Sequence, residues 1–276
     1  LERERGLDLF VCYIGFMQNR YDFILGLVKE AGWKLQEYAK QNIETSFKHG
    51  NPLDLVTKAD VEISEFLSSR IREGFAGEAI YSEEATDEDI SAGSFWATDP
   101  IDGTTNFSRH IPHYAVVVAY VEQGVPVVGA LYNPATDELY SFERGKGAYL
   151  NGKPVRVSNT TKLEESYMLL RAGRNKDLWD WGAESYKFLL QSGVKCANLG
   201  SSGLDTCYVG VGRVEANIYG TLTTIDIAAA IGFLYEARGL LVGKGGEKIS
   251  GLSKEKQQVI AVNNEATLKA LAPVLR

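Results

Sequence analysis

One stretch limits what this chain can become: Trp96-Ala97-Thr98-Asp99-Pro100-Ile101-Asp102-Gly103-Thr104-Thr105-Asn106-Phe107. Apolar residues lead into it as a buried strand would. Two carboxylates follow, three positions apart, with a proline between them. Residues three apart on a regular strand face opposite sides. Pro100 permits a bend that brings Asp99 and Asp102 to one side and can expose the carbonyl of Ile101. Two carboxylates and a carbonyl are hard oxygen donors of the kind that suit Mg²⁺. Gly103-Thr104-Thr105 then offers backbone N–H groups at what reads as a helix start, where donors and the helix dipole attract phosphate. The same residues also fit a purely structural Asp-rich turn.

The bulk of the chain bounds the alternatives. Its 276 residues, 45% hydrophobic and 24% charged, suit one large globular unit or two intimately packed ones. A net charge of −7 without any long Lys/Arg run argues against a nucleic-acid polymer as partner. An acidic protein that handles an anionic substrate needs local compensation, and metal ions provide it. Cys12, Cys196 and Cys207 are odd in number and lack CxxC spacing, which points to a reducing, cytoplasmic setting rather than a disulfide framework. His49, His110 and His113 form no metal-binding motif, and the carboxylates are the better ligands for a hard cation. The longest apolar run, Leu9–Met17, is too short to span a bilayer and lacks a signal-peptide cleavage site, so no membrane role is expected. Residues 1–16 read as a leader or disordered N-terminal segment.

Periodicity divides the remainder. Ile24, Leu27, Val28, Ala31, Leu35 and Tyr38 recur at helical spacing, and Ile63, Phe66, Leu67, Ile71 and Phe75 mark a second helix. Between residues 114 and 152 the pattern turns to β, with Gly, Pro and Asn separating short runs as in an antiparallel meander. From Met168 onward strands and helices alternate, including a helix expected over Ile225–Arg238 and a closing helix over Glu265–Leu275. The reading is an α+β half over 17–158 carrying the main motif, and an α/β half over 159–276, packed as one compact unit.

Three further acids draw notice. Asp60 follows an extended piece, Val56-Thr57-Lys58-Ala59, and reads equally as a helix cap or as a functional group. Glu83 and Glu84 stand at the end of a short strand, Ala79-Ile80-Tyr81; alone they would be a solvated surface pair. Asp226 precedes the small-faced run Ala228-Ala229-Ala230-Ile231-Gly232, and either compensates a helix dipole or closes a metal site from the other half.

These motifs in this order resemble the inositol monophosphatase family of Mg²⁺-dependent, lithium-inhibited phosphatases. The resemblance runs from about Ile24 to the C-terminus, centres on Asp99 to Phe107, and is supported by Val56 to Asp60, Ser82-Glu83-Glu84, Gly145-Lys146-Gly147-Ala148, Gly200-Ser201 and Asp226-Ile227-Ala228-Ala229. It implies a layered α-β-α-β-α fold, usually as a homodimer. It further implies that Glu83, Asp99, Asp102, Asp226 and the Ile101 carbonyl hold two or three Mg²⁺ ions. Gly103, Thr104 and the adjoining Thr105 would hold phosphate, Asp60 with Thr104 would activate water, Glu84 would assist that water, and Ser201 would border the substrate pocket.

The sequence departs from the family where the substrate is read. Members specific for inositol phosphates carry a Glu seven residues before the last metal Asp; here that place holds Tyr219. The implied reaction is hydrolysis of a small phosphate monoester, inositol 1-phosphate or a related sugar phosphate. Fructose-1,6-bisphosphatase, histidinol-phosphatase and 3′-nucleotidase activities stay open on the same scaffold, as does a non-enzymatic, metal-binding regulatory role.

Overall fold

A computed structural model describes residues 19–41, 45–47, 55–84, 93–173 and 175–275. The expected N-terminal leader, Cys12 and His49 lie outside the described residues. The chain begins with helices α1 (Arg20–Ala39) and α2 (Lys58–Gly74), with a two-stranded antiparallel pair, β1 (Thr45–Phe47) and β2 (Leu55–Thr57), between them. The β1 strand had no periodic signal at three residues. Asn19 caps α1 through its side chain, and Thr57 with Asp60 forms a reciprocal capping box on α2.

A seven-stranded sheet follows in strict spatial order: β3 (Ala79–Ser82), β4 (Ser94–Asp102), β5 (Ala115–Glu122), β6 (Val125–Asn133), β7 (Glu138–Glu143), β8 (Gly147–Leu150) and β9 (Lys153–Val155). Only the β3–β4 pair is parallel; the rest is the expected meander. Asn151 and Gly152, with φ of 48° and 74°, make the tight β8–β9 turn that requires two positive-φ residues. A five-stranded mixed sheet is ordered β11 (Lys195–Ala197), β10 (Tyr167–Arg171), β12 (Ala216–Thr223), β14 (Lys256–Val262), β13 (Leu240–Val242).

Strand periodicity explains the layering. On β5, Val116, Val118 and Tyr120 face a core shared with α1 and α2, while Ala115, Val117, Ala119 and Val121 face the opposite one. That second core includes α5 (Ser202–Gly210) and α6 (Ala228–Glu236), which are sandwiched between the sheets. On β14, Val259 and Ala261 join this central core; Ile260 and Val262 face a third, completed by α4 (Trp179–Gln191) and residues around α7 (Glu265–Ala270). The result is an α-β-α-β-α stack, as the family resemblance implies.

Two boundaries differ from expectation. The helix expected from Ile225 begins only at Ala228, because β12 continues to Thr223 and the chain turns through 224–227 before it can coil. The closing helix ends at Ala270, and the chain then finishes in turns. The small face of α6 is a packing requirement: a Cβ on Gly232 would lie 2.0 Å from the Phe142 ring. Gly232→Ala should therefore lower the unfolding free energy by about 1–3 kcal/mol, the usual range for overpacking. Urea denaturation checks this, and an unchanged midpoint would contradict the close approach of α6 to β7.

Candidate active site

The site starts with an irregularity in β4. Asp99 pairs with Val117 and Asp102 with Ala115, so three residues advance on β4 against two on β5. This is a bulge, and it falls at Pro100-Ile101, where proline has no N–H for the ladder. The extra residue cancels the strand alternation, and Asp99 and Asp102 line the same cavity of about 200 Å³ together with Ile101. The Asp99 carboxylate accepts the Ile101 N–H at 2.9 Å, which fixes the bend.

Gly103 turns the chain out of the bulge with φ of 97°, and a Cβ there would sit 3.0 Å from the His113 carbonyl. The short helix α3 (Thr104–Ser108) follows, its first internal donors being Asn106 and Phe107, both to the Gly103 carbonyl. Gly103, Thr104 and Thr105 line the cavity, with the Thr104 and Thr105 amides ahead of those first helical bonds.

Asp60 caps α2 and also reaches Thr104. One carboxylate oxygen accepts from the Thr57 N–H at 2.7 Å and the Thr57 hydroxyl at 2.5 Å, which is the cap. The other lies 3.1 Å from the Thr104 hydroxyl. That hydroxyl is also 3.1 Å from the Ile101 carbonyl, and its single proton serves one acceptor at a time. Burial pushes the Asp60 carboxyl above the ordinary carboxylate range, against the pull of the Thr57 and Thr104 donors; the Glu83 charge adds to the rise.

The remaining acids come from separate elements. Glu83 follows β3, whose parallel register sets Ser82 beside Thr98, and its N–H donates to the Thr98 carbonyl. Asp226 lies in the turn before α6 rather than in its first turn, and accepts the Tyr81 hydroxyl at 3.0 Å. Both line the cavity. Asp99 is 4% exposed and held well above the ordinary carboxylate range, first by desolvation and then by the charges of Glu83, Asp102 and Asp226. As the side chains stand, no three acidic, His or Cys groups among the described residues converge on one point. The donor set and its internal repulsion are what fit a hard cation.

Asp102 carries an additional load. Its oxygens accept from the hydroxyls of Ser201 (2.5 Å) and Ser202 (3.0 Å) and from the N–H groups of Ser202, Gly203 and Leu204 (2.9, 2.7 and 3.3 Å). It thus caps α5 in place of Ser201, whose side chain caps nothing. Ser201 is fully buried against Asp102, and the neighbours Gly200 and Ser202 line the cavity instead. Glu84 lies apart: it lines a separate depression along α2 with Ser64, Ser68 and Arg72. Tyr219 does line the cavity, with its hydroxyl donating to Asp205 at 3.0 Å. The other Asp205 oxygen meets His113 Nε2 at 2.7 Å, so His113 is engaged there, and His110 is exposed.

Sequence reasoning passed over Asp205, Arg171 and Lys256. An acid set among the apolar residues of α5 is a signal that was available for Asp205. Arg171 and Lys256, which line the cavity, carry none beyond their positions at strand ends.

The family model described as "Inositol monophosphatase family" matches residues 17–276. The chain belongs to the inositol monophosphatase family. It is therefore a phosphatase, a phosphoric monoester hydrolase, of a generally metal-dependent family. A Thermotoga maritima protein named fructose-1,6-bisphosphatase/inositol-1-monophosphatase is 32% identical over 240 residues, covering 86% of this chain and 89% of its own. The inositol-1-monophosphatase of Bacillus subtilis is 31% identical, with 86% and 89% covered. Among solved structures, a T. maritima IMPase superposes with a TM-score of 0.84 at 29% identity, covering 93% of this chain and 96% of that one. An inositol monophosphatase from Anabaena gives 0.80 at 26%, covering 94% and 96%.

The divided role of Asp60 yields a prediction. Asp60→Ala removes the cap and the Thr104 contact, whereas Asp60→Asn keeps an acceptor for the cap. Urea unfolding should show the Ala variant less stable than the Asn variant by about 1 kcal/mol. Both should lose most phosphatase turnover; equal stability of the two would remove the capping role.

Proposed function

We propose that the protein hydrolyses a small phosphate monoester with a water activated at this cavity, using Mg²⁺ held by Glu83, Asp99, Asp102, Asp226 and the Ile101 carbonyl. The observation that carries the reading is the convergence on one cavity of four acids from three segments, beside the Gly103–Thr105 turn. When bound, two or three such ions neutralise phosphate oxygens, lower the pKa of water and stabilise the leaving alkoxide.

The chain's own residues supply the rest. The amides of Gly103 and Thr104 face the phosphate and fix its orientation. The Thr104 hydroxyl, poised between Asp60 and the Ile101 carbonyl, orients the attacking water along the line of the breaking bond. Asp60 takes its proton; a carboxyl raised by burial is a stronger base at neutral pH than an ordinary one. No side chain needs to form a covalent bond to phosphorus. The proposal extends to a homodimer, checked by light scattering. Inositol 1-phosphate and sugar phosphates head the substrates, because the relatives named above act on such esters by name.

Phosphate release from a panel of inositol, sugar, histidinol and nucleotide monoesters should require Mg²⁺ and fall with Li⁺. Asp99→Asn should lower kcat by about 10²–10³, the usual loss when one electrostatic stabiliser of a transition state is removed. Release from no ester in the panel, with Mg²⁺ still bound in calorimetry, would favour a metal-binding regulatory protein instead.

The Asp99 carboxyl sets a pH dependence. Its folded value lies above the ordinary one, so its favourable contribution is full below the unfolded value and lost as pH rises through the folded one. A cation that binds only the ionised cluster reverses this. The rise in thermal midpoint on adding Mg²⁺ should be larger at about pH 7.5 than at about pH 5. An increment that shrinks as pH rises would contradict the ligand assignment.

A further inference from the structure

We infer that the leaving group of the preferred substrate carries a carboxylate, held by Arg171, so that the ester hydrolysed is a phosphorylated hydroxy acid. This deepens the phosphatase reading by naming the substrate class, and it rests on that reading. Beside the acids Glu83, Asp99, Asp102 and Asp226, the cavity is lined by Arg171 and Lys256. The five-stranded sheet sets both cations. Arg171 ends β10 and pairs in register with Tyr219 of β12. Lys256 opens β14 and pairs with Thr223 from the other side of β12. Arg171 is half-buried and Lys256 is exposed. Among the described residues, neither side chain has a hydrogen-bonded or ion-paired partner. A partly desolvated guanidinium without an acceptor is unfavourable, so the position calls for an anion.

Which anion suits it follows from the residue beside the fork. Burial lifts the Tyr219 hydroxyl well above its ordinary range; the Asp205 charge adds to the rise and the Arg171 charge opposes it, so the guanidinium acts on this hydroxyl. The hydroxyl gives its single proton to Asp205 at 3.0 Å, and the other Asp205 oxygen is engaged by His113. Tyr219 therefore has lone pairs, and no proton, for a ligand. A carboxylate has two oxygens, and the planar fork meets both with parallel hydrogen bonds. A phosphoryl group would bring a third oxygen that Tyr219 cannot satisfy. A neutral alcohol would give Arg171 no charged partner. The cavity, of about 200 Å³, lies below the roughly 300–1,000 Å³ of sites for drug-sized ligands, which suits a short acid beside the phosphate. The carboxylate takes no part in bond breaking. The oxygen of water bonds to phosphorus, the ester P–O bond breaks, the alkoxide takes a proton, and phosphate leaves with the free hydroxy acid.

Two matched pairs decide it, each exchanging only a carboxylate for a hydroxymethyl group: 3-phosphoglycerate against the glycerol phosphate of the same configuration, and 6-phosphogluconate against sorbitol 6-phosphate, assayed with Mg²⁺. In at least one pair the acid should exceed the alcohol in kcat/KM by about tenfold or more, the equivalent of one charge-assisted hydrogen bond. Arg171→Gln should return that ratio to near unity, and Lys256→Gln should lower it less. The ratio is taken within one protein, so a smaller folded fraction does not alter it. If the cations only steer the cleaved phosphate inward, acid and alcohol are equally efficient in both pairs. That result, or an unchanged ratio in Arg171→Gln, overturns the inference and leaves the phosphatase reading intact. Glycerol 1,3-bisphosphate hydrolysed more efficiently than 3-phosphoglycerate overturns it too. Should no ester be hydrolysed, the phosphatase reading itself fails, and calorimetry with Mg²⁺ still decides the carboxylate site. The Kd of the acid should lie at least about tenfold below that of the alcohol in one pair, and equal values overturn the inference.

Discussion

At the cavity, one carboxylate ties the two halves of the molecule together. Asp102 closes β4 in the larger sheet and receives five donors from Ser201, Ser202, Gly203 and Leu204 at the start of α5. Hydrogen bonds to an ionised group contribute about 1.5–3 kcal/mol each in isolation, with strong non-additivity when they share an acceptor. Backbone must approach closely to make them, and Gly203 permits it: a Cβ there would lie 2.8 Å from the Asp102 oxygen. The position of α5 then sets Asp205, and Asp205 sets Tyr219 and His113. The wall of the cavity that carries Tyr219 is thus hung from the same carboxylate that belongs to the acid cluster. A cation on Asp102 would share oxygens with a helix cap, which couples ion binding to the placement of α5.

Against that junction stands like-charge crowding. Burying Asp99 among three other acids is unfavourable to its charged form, and desolvation with the neighbouring charges pushes its carboxyl well above the ordinary range. The fold tolerates the crowding because the acids hang from separate, well-anchored elements: Asp99 from a bulge locked by its own hydrogen bond, Asp102 from α5, Asp226 from Tyr81, and Asp60 from the cap of α2. Asp60 shows how economically this is done. One oxygen starts a helix, and the other reaches the Thr104 hydroxyl.

Much of this was legible in the sequence, because period and turn chemistry are local. The meander, the two leading helices and the α6 packing face followed from apolar spacing and glycine placement. Pro100 announced the bulge, and Gly103 announced the turn to α3. The parts that escaped depend on distant partners. That Asp102 rather than Ser201 caps α5 requires two residues 99 apart in sequence to meet. That Glu84 points to a depression along α2, and not to the cavity, depends on how the chain turns after β3. Asp226 fell outside its helix because strand pairing with β14 carried β12 further than periodicity indicated.

The strand β12 joins several of these features. It carries Tyr219 near its centre, shifts register between Tyr219 and Leu222, and ends three residues before Asp226. Both of its neighbours present a cation to the cavity, Arg171 from one side and Lys256 from the other. A change at Tyr219 that disturbed the strand would also move the turn bearing Asp226. A carboxylate introduced at Tyr219 would stand beside Arg171 in the ladder. The cavity thus draws its lining from three adjacent strands of the smaller sheet, while its acids are anchored in the larger sheet and just beyond the end of β12.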